Sequence, residues 1–347
     1  MKLKDLTTSR ANNFQLLRLL AATSVFVFHC YALTDKWFEE PLFRLVHDLN
    51  LGALGVQVFF VISGFLVTKS WVERRHFWSF TWARVLRIYP ALAAATLVTV
   101  ALAAWSSALP LYEFLTSSAT ARYVWRTALA LGSVDRLPLA FAHNPFPHAV
   151  NGSLWTLPIE VRLYAAIAIA GIAGLIMRTG WWTLTVLSLA GLTWFAPREI
   201  TGRFLDPSVQ QISMFFAAGS LAFVWSTRIA VSVLVAGILA VSIAVNPLGG
   251  LRGFFLPFAL TYVVLIAAYH PLLQWQKFNL VGDYSYGIYI YSFPVQQTVV
   301  AAMPSIAPPL LFAFAFPIAL GLSALSWHWL ERPALRLKMH PSPRYSP

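Results

Sequence analysis

Arg18 and His29 stand eleven residues apart inside one apolar run, Asn13-Phe-Gln-Leu-Leu-Arg18 through Val27-Phe-His29-Cys-Tyr31. On an α-helix, eleven steps of 100° return to nearly the same face about 16 Å further along the axis. A helix carrying both therefore shows a cation near one end and an imidazole near the other. Ionisable groups at membrane depth are costly to keep and by default mark functional sites. The plainer readings are a snorkelling arginine and a polar tip at an interface, and neither requires a shared face. The pattern points to a proton-handling His29 and to an Arg18 that serves an anionic substrate.

Glu160 follows in Asn151-Gly-Ser-Leu-Trp155 through Pro158-Ile-Glu160-Val-Arg162-Leu-Tyr164. Pro158 suits a first helical turn, with Ser153 or Thr156 as its cap. Glu160 then falls near the outer end of its helix, at about the depth of His29. A carboxylate there orients an imidazole and stabilises its protonated form, as the aspartate of a Ser-His-Asp triad does. The competing reading is a structural ion pair. Its Glu160–Arg162 version is weak, because residues two apart on a helix do not face each other.

Arg84 and Arg87 are three apart and share a helical face. Two guanidinium forks can grip a diphosphate or a sugar phosphate bidentately, although ordinary basic anchors have the same appearance. Ser63-Gly64 sits mid-span, where a small pair permits close helix approach or lines a substrate passage. His143 and His148, five apart in a Pro-containing stretch, fit no zinc spacing, so no metal is expected. His76, His270, His328 and His340 read as interfacial. Tyr284, Tyr286, Tyr289 and Tyr291 crowd one span and suggest a polar-lined interior.

The elements that position these residues follow from composition. Of 347 residues, 58% are hydrophobic and 11% charged, with mean hydropathy +0.66, where a soluble domain carries about 25% charged residues. The chain reads as an all-α polytopic membrane protein, since the apolar runs are too long for barrel strands and lack their alternation. About ten transmembrane helices are expected: Phe14–Leu33, Leu54–Ser70, Ile88–Trp105, Leu157–Met177, Trp181–Phe195, Ile212–Trp225, Ile229–Val245, Phe254–Tyr269, Leu280–Ala302 and Leu310–Leu330. The loop Glu73–Arg87 reads as a surface helix with interleaved arginines and aromatics. The run Tyr123–Leu139 reads as interfacial or partly re-entrant. Residues 1–335 form one membrane domain, and 336–347 a short basic tail, disordered from about Pro333. The single Cys30 excludes an internal disulfide. The first span has no cleavage site after it and reads as retained.

With the N-terminus in the cytoplasm, 16 of the 25 Lys and Arg fall on the cytoplasmic side and 8 outside, while acidic residues run the other way. The net charge of +12 thus lies on one side, as the positive-inside rule expects. Topology explains the basic character, and no nucleic-acid partner is needed. Both termini are placed in the cytoplasm of a bacterial inner membrane.

Six motifs, in order along the chain, resemble the acyltransferase-3 family of integral-membrane acyltransferases, which includes bacterial polysaccharide O-acetyltransferases. They are Arg18-x10-His29, Phe59-Phe-Val-Ile-Ser-Gly-Phe65, Arg84-Val-Leu-Arg87-Ile-Tyr-Pro90, Asn151-Gly-Ser-Leu-Trp155 through Glu160 and Tyr164, Gly282-Asp-Tyr-Ser-Tyr-Gly-Ile-Tyr289, and Trp329-Leu-Glu-Arg-Pro333. The resemblance implies ten spans, a cytoplasmic acyl-CoA donor (acetyl-CoA first) and a carbohydrate or lipid-linked glycan acceptor. By position it implies His29 as catalytic base with Glu160 functional beside it, Arg18, Arg84 and Arg87 at the donor, and Ser63, Asn151, Ser153, Trp155 and Tyr164 as substrate contacts. No soluble esterase-like domain of the kind that some members append is expected. From the residues alone, a transporter or flippase for a lipid-linked saccharide is the alternative. It would call for inverted repeats and broken helices near the midplane, and neither is evident.

Overall fold

The computed structural model describes residues 2–7, 12–47, 49–132, 136–147, 149–195, 206–245, 252–273, 275 and 282–338. Among the described residues, ten helices make the bundle: α1 Phe14–Ala32, α2 Leu51–Arg74, α3 Phe77–Ser106, α4 Leu157–Ile172, α5 Thr179–Phe195, α6 Pro207–Val224, α7 Val233–Val245, α8 Arg252–Tyr269, α9 Ser285–Ala302 and α10 Pro308–Ser326. The described residues hold no β-strand, only an isolated bridge between Lys2 and Ala230. Among the described residues, five helical stretches are by themselves long and apolar enough to cross a membrane, and α7 and α8 are shorter apolar helices. This is an all-α polytopic membrane protein.

The expected surface helix between the second and third spans is absent. Arg75 closes α2 in the left-handed region (φ 50°), its N–H donating to Trp71 O. His76 then caps α3, where Ser79 N–H donates to its Nδ1 at 3.3 Å. The break is thus two residues long, and α3 runs unbroken for 30 residues, about 45 Å. That exceeds the ~30 Å apolar core of a bilayer. The surplus first turns carry exposed Phe77, Trp78 and Trp82, in keeping with an interfacial aromatic belt.

Two helices organise the rest. α2 packs on α1 and α6, and the α2–α6 crossing is set by a glycine on each side. A Cβ on Gly64 would lie 1.9 Å from Phe216 O, and one on Gly219 2.2 Å from Val61 O. Only backbone fits between these helices, as in small-residue crossings of membrane bundles. α9 packs on α1, α3 and α10 and is buried on every side from Ser285 to Gln297. Its interior amide nitrogens are satisfied: Gln297 Nε2 donates to Phe146 O and Ala149 O, and Gln296 Nε2 to Phe26 O.

The long connection from α3 to α4 is folded. Its helix Ser118–Ala128 lies along α3, and Tyr89 O–H donates to Leu129 O at 3.5 Å. The chain then returns to the α3 C-terminus, where Ser107 Oγ donates to Pro138 O. Tyr89 lies well below Ser107 on α3, so the segment dips beside the helix and comes back. At the opposite end of the chain, the helix continues through Pro333 to Arg336, past the expected onset of disorder. Residues 339–347, including His340, lie outside the described residues, as does His148.

Candidate functional site

Arg18 and His29 both face interior cavities, one from each end of α1. The first cavity, about 120 Å³, is lined by Arg18, Arg84 and Arg87 with Ser63, Glu160 and Tyr164. The second, about 290 Å³, is lined by His29 with Gln57, Ser153 and Trp155. Val56 and Tyr289 belong to the walls of both. The Tyr289 O–H is tied to Thr156 Oγ1 at 2.7 Å, and its ring meets Phe59 edge-on.

The first chamber is an ionic network. Asp283 Oδ2 lies 2.9 Å from Arg18 Nη1 and 2.6 Å from Arg87 Nη2. Its Oδ1 accepts from Ser285 Oγ at 2.5 Å. Arg87 Nη1 lies 3.5 Å from Glu331 Oε2. Burial raises the Asp283 carboxyl, but the Arg18 and Arg87 guanidiniums outweigh it and hold the group well below the usual carboxylate range. Arg84 is different. Among the described residues it has no carboxylate partner. Its Nη2 donates to Ser70 Oγ at 2.8 Å, its guanidinium sits 5.7 Å from the Tyr164 ring centre, and its buried Nε has no partner. Lys338, just past the helical chain end, has its amine pushed down to about 8 by burial and then by Arg84, Arg87 and Arg74.

Glu160 does not meet His29. It lies in the first turn of α4, where its Oε1 accepts from Ser63 Oγ at 3.2 Å and from Tyr164 O–H. The physical reason is depth. The His29 chamber reaches α2 at Gly52–Gln57, whereas Glu160 meets α2 at Ser63, six residues or about 9 Å further along. Pro158 does open α4, but neither expected cap forms: Thr156 is engaged by Tyr289 and Ser153 Oγ has no partner.

His29 stands among rings instead, edge-on to Phe293 at 5.0 Å and beside Phe28 at 5.8 Å. Its buried Nδ1 has no hydrogen-bond partner.

Of the other expected contacts, Ser63 and Tyr164 line the first chamber and Ser153 and Trp155 the second. Asn151 lines neither. Its Nδ2 donates to Thr99 Oγ1 and Ile290 O, bracing α3 against α9. Cys30 is buried and free, accepting from Gln296 Nε2 at 3.0 Å. Sequence reasoning gave no role to Asp283, Glu331 or Gln57. Their signals were present: two of the few acidic residues inside apolar motifs, and an amide six residues before Ser63 in the same apolar run.

Comparisons with known proteins bear on this geometry. Residues 12–328 match the acyltransferase domain family. The chain is 30% identical to a Shigella phage Sf6 protein named O-acetyl transferase, over 352 aligned positions covering 97% of this chain and 99% of that protein. It is 29% identical to nodulation protein 10 of Rhizobium leguminosarum bv. viciae, over 96% of this chain and 95% of that one. No solved structure matches it.

Proposed function

The chain belongs to the acyltransferase-3 family and is a membrane O-acyltransferase, and from that premise we propose that it moves an acetyl group from cytoplasmic acetyl-CoA to a hydroxyl of a carbohydrate or glycolipid-type acceptor. The observation that carries this reading is the meeting of a cation-lined chamber and a histidine-lined chamber at Val56 and Tyr289. Arg84, with an unpartnered Nε and no ion pair among the described residues, receives donor phosphate, and Arg18 and Arg87 set the field around it. In this reading the protein lies in a bacterial inner membrane with both termini and the arginine chamber on the cytoplasmic side.

At the boundary, His29 takes the proton of the acceptor hydroxyl while that oxygen bonds to the thioester carbonyl carbon. The carbon–sulfur bond then breaks, and the CoA thiolate leaves with the proton returned by His29. The Tyr289–Thr156 hydroxyl pair stands where the carbonyl oxygen gathers charge, and one of its two protons is available as a donor. Glu160 holds Ser63 and Tyr164 in the donor chamber, so its role is positioning, not orienting the base. Among the described residues His29 has no carboxylate beside it to stabilise an imidazolium, and the proton passes on to the departing thiolate.

The test is transfer of label from acetyl-labelled CoA by the purified protein in lipid nanodiscs. His29→Ala is expected to abolish transfer while CoA binding persists, and near-normal transfer would overturn the mechanism. Arg84→Ala should raise the donor KM, and an unchanged donor KM would overturn the donor assignment.

A further inference from the structure

The chamber beside His29 is electrically neutral in its makeup. Among the described residues, no Lys, Arg, Asp or Glu lines it, although the chamber beyond Val56 and Tyr289 has three arginines and a glutamate on its wall. Beside the His29 imidazole and the Trp155 indole, its polar side chains are amides and hydroxyls, with Gln57 and Ser153 the most deeply buried, 5% and 2% exposed. Three buried polar atoms on this wall have no partner: His29 Nδ1, Gln57 Oε1 and Ser153 Oγ.

Buried polar groups are ordinarily satisfied, so three unmet ones around one cavity ask for a ligand. A hydroxyl both donates and accepts, and a ring bearing several hydroxyls meets all three. Trp155, 38% exposed, adds an aromatic surface on the same wall, suited to the less polar face of such a ring. A carboxylate or ammonium on the ligand would lose its water here and gain no counter-charge. At about 290 Å³ the chamber sits at the small end of ligand sites, which run from about 300 to 1,000 Å³, the scale of one ring.

We infer that this chamber is the acceptor subsite and that it selects an uncharged, hydroxyl-rich ring, read by Gln57 and Ser153 and seated against Trp155. The inference rests on the O-acyl-transfer reading and adds to it the charge class of the acceptor and the residues that enforce it.

The test uses the full chain in nanodiscs with labelled acetyl-CoA, and extracted cell-envelope glycan as acceptor. The glycan is afterwards cut to single rings, which are separated by ion exchange. Label is expected on neutral rings. Label on rings carrying a carboxylate or an amine overturns the inference and leaves O-acyl transfer standing. Label that never leaves the thioester overturns both. A second arm compares a neutral methyl glycoside that accepts label with its uronic-acid and amino counterparts, the neutral form being favoured at least about tenfold in kcat/KM. Gln57→Ala and Trp155→Ala should each raise the acceptor KM about tenfold with the donor KM unmoved. Gln57→Glu should shift preference towards the amino counterpart, whereas a merely structural Gln57 would lower all acceptors alike and overturn its assignment.

Discussion

Asp283→Asn is the sharpest probe of the arginine chamber. One oxygen of Asp283 holds both Arg18, at 2.9 Å, and Arg87, at 2.6 Å, with side chains 9%, 23% and 17% exposed. The substitution keeps the volume and leaves an oxygen for Ser285, but it removes the charge that Arg18 and Arg87 share. Breaking a buried pair by losing one partner costs about 3–5 kcal/mol. Arg87 retains Glu331 at 3.5 Å, while Arg18 retains no carboxylate among the described residues, so the lower end, about 3 kcal/mol, is expected. At about 2 °C per kcal/mol for a chain of this size or somewhat less, the midpoint of thermal unfolding should fall by roughly 5 °C.

The sign of the pH dependence is fixed as well. The folded carboxyl lies below its unfolded value, so its contribution is complete above the unfolded carboxylate range, about pH 4, and fades only as pH falls through the folded value. The deficit of the variant should therefore be the same at pH 6 and pH 8. Scanning fluorimetry of purified protein measures it. Adding Arg18→Gln to Asp283→Asn removes the stranded cation and should recover part of the loss, because the two sites are directly coupled. A single variant within 1 °C (~0.5 kcal/mol) of wild type, or a double variant no better than the single, would refute the argument that the carboxylate holds these arginines.

Two further expectations follow from packing and from the chain end. Gly64→Ala or Gly219→Ala drives a methyl into facing backbone at 1.9 or 2.2 Å and should cost at least about 1–3 kcal/mol in unfolding measurements, whereas Gly237→Ala, with nothing within 4 Å, should stay within about 0.5 kcal/mol. Lys338, with its amine at about 8, is charged at pH 7 and loses its proton above pH 8, a titration that Lys338→Gln removes. Because the folded value lies below the unfolded one, about 10.4, stability should rise with pH between them, and the same variant should remove the rise.

The ten-helix plan was legible because each span needs an apolar run, and apolar runs are local in sequence. What the runs could not convey was where a helix begins when its first turns project beyond the membrane, as the aromatic turns of α3 do. Hydropathy started that span at Ile88, yet the capped helix starts at Phe77, the interfacial aromatics having masked its onset. The close approach at Ser63-Gly64 was readable from residue size alone. Its partner Gly219 was not, because nothing local to Gly219 says which helix it faces.

The pairing of Glu160 with His29 failed for a reason that sequence spacing cannot express. Both residues lie near the ends of their helices, and equal depth follows only if both helices reach the same surface. α4 has 16 residues, about 24 Å, against an apolar core of ~30 Å, and a 3-10 turn from Gly152 to Thr156 leads into it. Its first turn therefore need not lie at the membrane surface, and Glu160 falls beside Ser63. The arginines show the converse ambiguity. A basic anchor and a phosphate site make the same pattern at Arg84 and Arg87, and the positive-inside rule accounts for both. An anchor, however, keeps its charged head in water and needs no protein partner. Arg87 is instead bound to Asp283 and Glu331, and Arg84 is drawn over Tyr164 with one donor unmet. The unmet donor sets Arg84 apart from a surface anchor, and it depends on how three helices and the chain end converge, which no stretch of sequence contains.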